Sequence, residues 1–148
     1  MPSTHTSLHY HVVFSTKNRE ASISPQVRDD LHAYLGGIIR GMQGVAYAAG
    51  GTSDHVYVFM GLKATHCLAD VMRELKADSS KWLKTEKSVH NFSWQEGYGA
   101  FTVSAPDMEK VKLYVSNQEE HHRTKTFKEE YVAMLERGLV EYDDNYLW

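Results

Sequence analysis

Leu8–Phe14, LHYHVVF, and His55–Gly61, HVYVFMG, decide the fold. In the first, Leu8, Tyr10, Val12 and Phe14 point one way while His9, His11 and Val13 point the other, the period of two that marks a strand. In the second, Val56, Val58 and Met60 share one face, and His55, Tyr57 and Phe59 share the opposite one. Each strand thus sets an apolar face against a face bearing histidine or tyrosine.

Working outward, Ser24 and Pro25 read as the N-cap and first position of a helix through Val27, Leu31, Tyr34, Leu35, Ile38 and Met42. Val45–Gly51 is expected to pair with His55–Gly61 through the turn residues Thr52, Ser53 and Asp54. Thr65 is the expected cap of a second helix carrying Leu68, Val71, Met72, Leu75, Trp82 and Leu83. The segment ADSSKW weakens its second half, because Asp and Ser compete for backbone bonds. Asn91–Ser104 is an aromatic, glycine-rich loop leading into a strand over Ala100–Val103. Ser104, Pro106 and Asp107 then open a helix that includes Val111–His122, VKLYVSNQEEHH. A last helix, Phe127–Arg137, is expected to end at Gly138 as its C-prime residue.

The order strand, helix, strand, strand, helix, strand, with helices to follow, is the ferredoxin-like split βαβ pattern of an α+β protein. It predicts an antiparallel sheet with the first two helices on one face and additional C-terminal helices carrying Tyr114. The first and third strands become central neighbours, so their histidine faces lie side by side on the face left bare by the first two helices.

The chain has 148 residues, 42% of them hydrophobic, which suits a single domain over 1–148 with a real core. One cysteine, Cys67, rules out an internal disulfide and a cysteine zinc cage, and its apolar helical position suggests core filling. The formal charge of −3 lies entirely in the tail 139–148, which carries Glu141, Asp143 and Asp144 and no Lys or Arg. A nucleic-acid partner must therefore be held by local clusters and stacking more than by a global field. Tyr142, Tyr146, Leu147 and Trp148 make that tail too apolar to stand in water alone, so it is expected to dock on its own domain or on a dimer partner. The first residues lack a leader pattern and no run of about 18 apolar residues occurs, so a cytoplasmic protein without a membrane partner is expected.

Read as a helix, Val111–His122 places Tyr114 and Gln118 one turn apart, with Val111, Val115 and His122 near the same stripe. His55 and Tyr57 project from one sheet face. Each has an ordinary use: Tyr114 as a packed helical tyrosine, His55 as a hydrogen-bonded sheet histidine, and the basic residues of the second helix as a solvated surface. No Gly-rich phosphate loop or serine nucleophile motif is present.

Taken together, TKNRE after the first strand, DHVY in the third, LKADSSKWL, WQEGYGAFTVS and YVSNQEEHHRTKTFKEEY resemble, in this order, the small single-tyrosine HUH transposases of bacterial insertion sequences, the IS200-like transposases (H for histidine, U for a hydrophobic residue). The resemblance runs from about Leu8 to about Leu135. It implies an enzyme that cuts and rejoins single-stranded DNA at hairpin-forming element ends through a covalent phosphotyrosine. Tyr114 matches the nucleophile; His55 and Gln118 match ligands of a divalent metal, Mg or Mn, with no nucleotide or organic cofactor. Tyr57 stands where the second HUH histidine belongs, which weakens or abolishes the ion and cleavage. Three outcomes follow: His9 or His11 on the neighbouring strand supplies the missing nitrogen, Tyr57 itself ligates once deprotonated by the metal, or only DNA binding is kept; His122 is a further residue that could bind the metal or line the site. The resemblance also implies a homodimer, with DNA contacted by Lys17, Arg19, Lys76, Lys81, Lys84, Arg123 and Lys125 and bases stacked on Trp94 and Tyr98. A single-strand binder without catalysis, needing the lysines but not Tyr114, is the competing reading, and a small histidine-based metal hydrolase is a third.

Overall fold

A central strand flanked by two others, with helices on both faces, should be apolar throughout. Every residue of His55–Gly61 is buried, yet the strand also carries the polar groups of His55 and Tyr57, each of which has a hydrogen-bond partner. In the computed structural model, which describes residues 3–118 and 125–148, the strands are β1 (His9–Ser15), β2 (Val45–Gly51), β3 (His55–Gly61) and β4 (Gly99–Thr102). They form one antiparallel sheet in the order β2-β3-β1-β4. The described helices are α1 (Pro25–Gly41), α2 (Leu68–Glu86), α3 (Met108–Ser116) and α4 (Phe127–Arg137). This is the expected α+β architecture, with β1 and β3 paired at the centre in the register Val13↔Tyr57 and Ser15↔His55.

The alternation in the strands divides the core into two layers. Val12, Phe14, Val56, Val58 and Met60 pack on Leu31, Leu35 and Ile39 of α1 and on Val71, Met72, Leu75 and Leu83 of α2. On the reverse face Val13, Tyr57 and Phe59 pack on Val115 of α3, on Phe127, Tyr131, Met134 and Leu135 of α4, and on Leu147. The histidine face is therefore largely covered by α3, α4 and the tail, a correction to the bare surface expected there. The tail closes the second layer, with Trp148 stacked on Phe127 at 5.7 Å and Gln95 Nε2 donating to the Leu147 carbonyl at 3.3 Å.

Local details also differ from the expectations. Helix α2 starts at Leu68 with Cys67 as N-cap, and Cys67 is exposed, outside the core. The doubtful ADSSKW stretch stays helical because Ser79 turns inward. Its hydroxyl donates to the Leu75 carbonyl at 2.6 Å and accepts from Trp94 Nε1 at 3.0 Å. Gly138 is not left-handed; Leu139, at φ 56°, takes that conformation one residue later. Among the described residues no helix is long and apolar enough to cross a membrane.

Candidate active site

The β2–β3 turn fixes the first site residue. Gly51, at the positive φ of 154° that favours glycine, and the Thr52 N–H bond to the His55 carbonyl at 3.1 Å close the turn and bring Asp54 beside the His55 ring. His55 Nδ1 lies 2.8 Å from Asp54 Oδ1 and 3.2 Å from the Thr52 hydroxyl. A carboxylate on one ring nitrogen sets the tautomer and aims the other, the outer-sphere arrangement of many metal-bound imidazoles. Burial pushes the Asp54 carboxyl up, but the hydrogen bond and charge of His55 and the Arg19 guanidinium at 3.2 Å outweigh it and hold it below the usual range. The His55 ring stacks flat on Phe127, centroids 3.9 Å apart.

Two residues along β3, Tyr57 is wholly buried and its hydroxyl donates to Glu130 Oε2 at 2.8 Å. Its ring lies 5.2 Å from that of His55 and 5.0 Å from that of His11, so Tyr57 stands between the two histidines. Tyr114 of α3 stacks over Tyr57 with centroids 5.9 Å apart and planes within 16°. Burial, the neighbouring Tyr114 and the Glu130 carboxylate raise the Tyr57 phenol far above its ordinary range. Burial and the same carboxylate raise Tyr114, against smaller opposing effects of Tyr57 and Arg137. Burial and the Arg137 charge lower His11 to about 4, which keeps it neutral at pH 7.

Gln118 reaches this cluster by a different route from the one its spacing suggests. Helix α3 ends at Ser116, and the Asn117 N–H turns back to the Leu113 and Tyr114 carbonyls. The Gln118 side chain then donates from Nε2 to the Tyr114 carbonyl at 3.0 Å, doing the work of a lost helical bond. Helix α3 sits directly on Gly50, where an added Cβ would collide with the Val115 carbonyl and lie 3.6 Å from Gln118 Cγ. Gly50 is the register partner of Tyr57, so Tyr114 and Gln118 reach one patch of β2–β3 within a single chain.

The residues present do not fit a divalent ion in the HUH manner. Tyr57 keeps its proton and spends it on Glu130, so it offers no ligand oxygen comparable to an imidazole. The neighbouring strand does not make up the loss. Ser15, not His11, opposes His55; His11 opposes Phe59, four residues further, roughly 13 Å along the strand. His9 lies further still, edge-on to Tyr47 at 5.9 Å. Among the described residues no three of His, Cys, Asp and Glu are grouped as a metal would need. His122 and Arg123 lie outside the described residues.

The basic residues are dispersed. Arg19 is bound to Asp54 and lies over Phe127 and Trp148, 5.2 and 4.6 Å from their centroids. Lys76 donates to the carbonyls of Glu96 and Gly97 at 2.9 and 2.8 Å, stapling that loop. Lys17, Lys81, Lys84 and Lys125 are exposed; Lys81 and Lys84 ride on α2, across the sheet from Tyr114. Trp94 is no stacking platform, because it is buried against Phe14 at 4.7 Å.

Glu130 escaped the sequence reading, although a signal existed. In FKEEYVAM it falls on the apolar stripe of Phe127, Tyr131 and Met134, where a carboxylate needs a buried partner.

A family model described as "Transposase IS200 like" matches residues 4–118. Two solved structures share the fold. A candidate transposase from Deinococcus radiodurans R1 aligns with a TM-score of 0.61 and 22% identity, over 80% of this chain and 96% of that one. A REP-associated tyrosine transposase bound to a REP hairpin aligns with a TM-score of 0.53 and 14% identity, over 78% of this chain and 70% of that one. No curated protein matches the chain.

Proposed function

This chain belongs to the IS200-like transposase family, and from that premise we propose that it nicks and rejoins single-stranded DNA through Tyr114. The observation that supports this most is the placement of the Tyr114 phenol against Tyr57 and under the influence of the Glu130 carboxylate, in the same chain and inside the matched segment.

The phenol oxygen of Tyr114 attacks the phosphorus of a phosphodiester, and the bond from phosphorus to the leaving deoxyribose oxygen breaks. The phenolic proton passes to the Glu130 carboxylate, and the leaving oxygen takes a proton from solvent. The phosphotyrosyl link keeps the bond energy, so a second sugar hydroxyl can reverse the step and join a new strand. Gln118 positions Tyr114 by holding its backbone carbonyl. Because Tyr57 replaces the second HUH histidine and stays protonated, metal assistance is weakened, and cleavage is slow.

The structure bound to a REP hairpin supports a hairpin-forming single strand as substrate. Exposed Lys81, Lys84 and Lys125 give phosphate contacts, and two copies form a homodimer. A non-catalytic single-strand binder is the second reading, favoured by the raised Tyr114 phenol and the missing histidine. Peptide mapping after incubation with a single-stranded hairpin oligonucleotide and manganese separates them. A nucleotide mass on the peptide holding Tyr114 supports the nuclease reading; bound DNA with no such mass supports the binder.

A further inference from the structure

A cavity of about 700 Å³ opens beside Tyr114, between β4, α3 and α4, and is lined by His11, Thr102, Asp107, Lys110, Tyr114 and Arg137 among others. Its size falls within the roughly 300–1,000 Å³ range of ligand clefts. Lys110 and Arg137 are both exposed, and neither has an ion-pair partner among the described residues. Asp107, the carboxylate on the rim, already accepts from the Ser104 hydroxyl at 2.9 Å. Arg137 lines the cavity together with His11 and Tyr114. There His11 is 7% exposed and its Nε2 has no hydrogen-bond partner. The other large cleft, where Lys17 lies, is lined by Glu96, Glu141 and Asp143 and would repel an anion.

Resting on the reading of Tyr114 as the nucleophile, we propose that this cavity seats the DNA backbone next to that tyrosine, with Arg137 and Lys110 gripping a phosphodiester. Guanidinium presents paired donors matched to phosphate oxygens, and an ammonium adds a point charge. Lys110 lies inside the segment matched by the family model and Arg137 beyond it, on α4.

The test is fluorescence anisotropy of the full chain with a fluorescein-labelled single-stranded hairpin oligonucleotide across a salt series. Arg137→Gln and Lys110→Gln should each weaken binding and flatten the log–log salt slope by about 0.7, the release expected for one phosphate on a single strand. Arg137→Lys should keep the slope, and Lys112→Gln, an exposed charge on α3 outside the cavity, should leave both readings at the wild-type value. DNA should protect Tyr114 from nitration in the wild type and less so in Arg137→Gln. Wild-type slopes in both cavity variants, or an equal loss in Lys112→Gln, would overturn the cavity assignment alone. Failure of the wild type to bind the oligonucleotide would overturn the DNA-processing reading with it.

Discussion

The Tyr57 hydroxyl donates to the Glu130 carboxylate at 2.8 Å, joining the central strand to α4 through a buried bond. Both residues are at most 4% exposed, so losing the phenol leaves a buried carboxylate one donor short. Tyr57→Phe should therefore cost about 1–3 kcal/mol in urea unfolding. A wild-type midpoint would show that the bond adds nothing.

The same bond keeps Tyr57 from serving as a ligand, while Asp54 still orients His55. Tyr57→His should accordingly strengthen manganese binding in calorimetry, on the order of tenfold or more. An unchanged affinity would count against the weakened HUH site.

Gly50 lets α3 lie on β2, and a methyl group there would strike the Val115 backbone, which cannot move alone. Gly50→Ala should displace α3 and lower stability by roughly 1–3 kcal/mol. It should also quench or shift Tyr114 environment signals in near-UV circular dichroism. Full stability with an unaltered spectrum would mean the close approach is dispensable.

Sequence pattern reached the sheet and stopped at its covering. Period-two alternation in LHYHVVF and HVYVFMG marks the strands and their two faces, and the succession of elements places β1 beside β3. The placement of Tyr114 over Tyr57 was legible only through the family resemblance. The end of α3 at Ser116 was not legible, because a side-chain amide takes over the role of a backbone bond there and leaves no mark on periodicity. Cys67 looked apolar by spacing, yet it lies before the first helical turn, where the stripe has not begun.

Acid should loosen the second layer. His11 titrates at about 4 when folded against an ordinary 6.5. As pH falls below about 6.5 the unfolded chain takes up this proton first, so stability is full above that value and drains toward pH 4. At about 1.4 kcal/mol per unit the loss is roughly 3 kcal/mol from His11. His32, also lowered to about 4 chiefly by burial, acts in the same direction. His11→Gln should show a smaller drop in urea midpoint between pH 7 and pH 4.5 than the wild type; an equal drop would remove His11 from the cause.

The most direct measurement is denaturing gel electrophoresis after prolonged incubation of a labelled single-stranded hairpin with manganese. The wild type should give a slowly formed covalent protein–DNA band, Tyr57→His a faster one, and Tyr114→Phe none. A band that survives in Tyr114→Phe, cleavage without any band, or binding with no band even in Tyr57→His would contradict Tyr114 as the nucleophile.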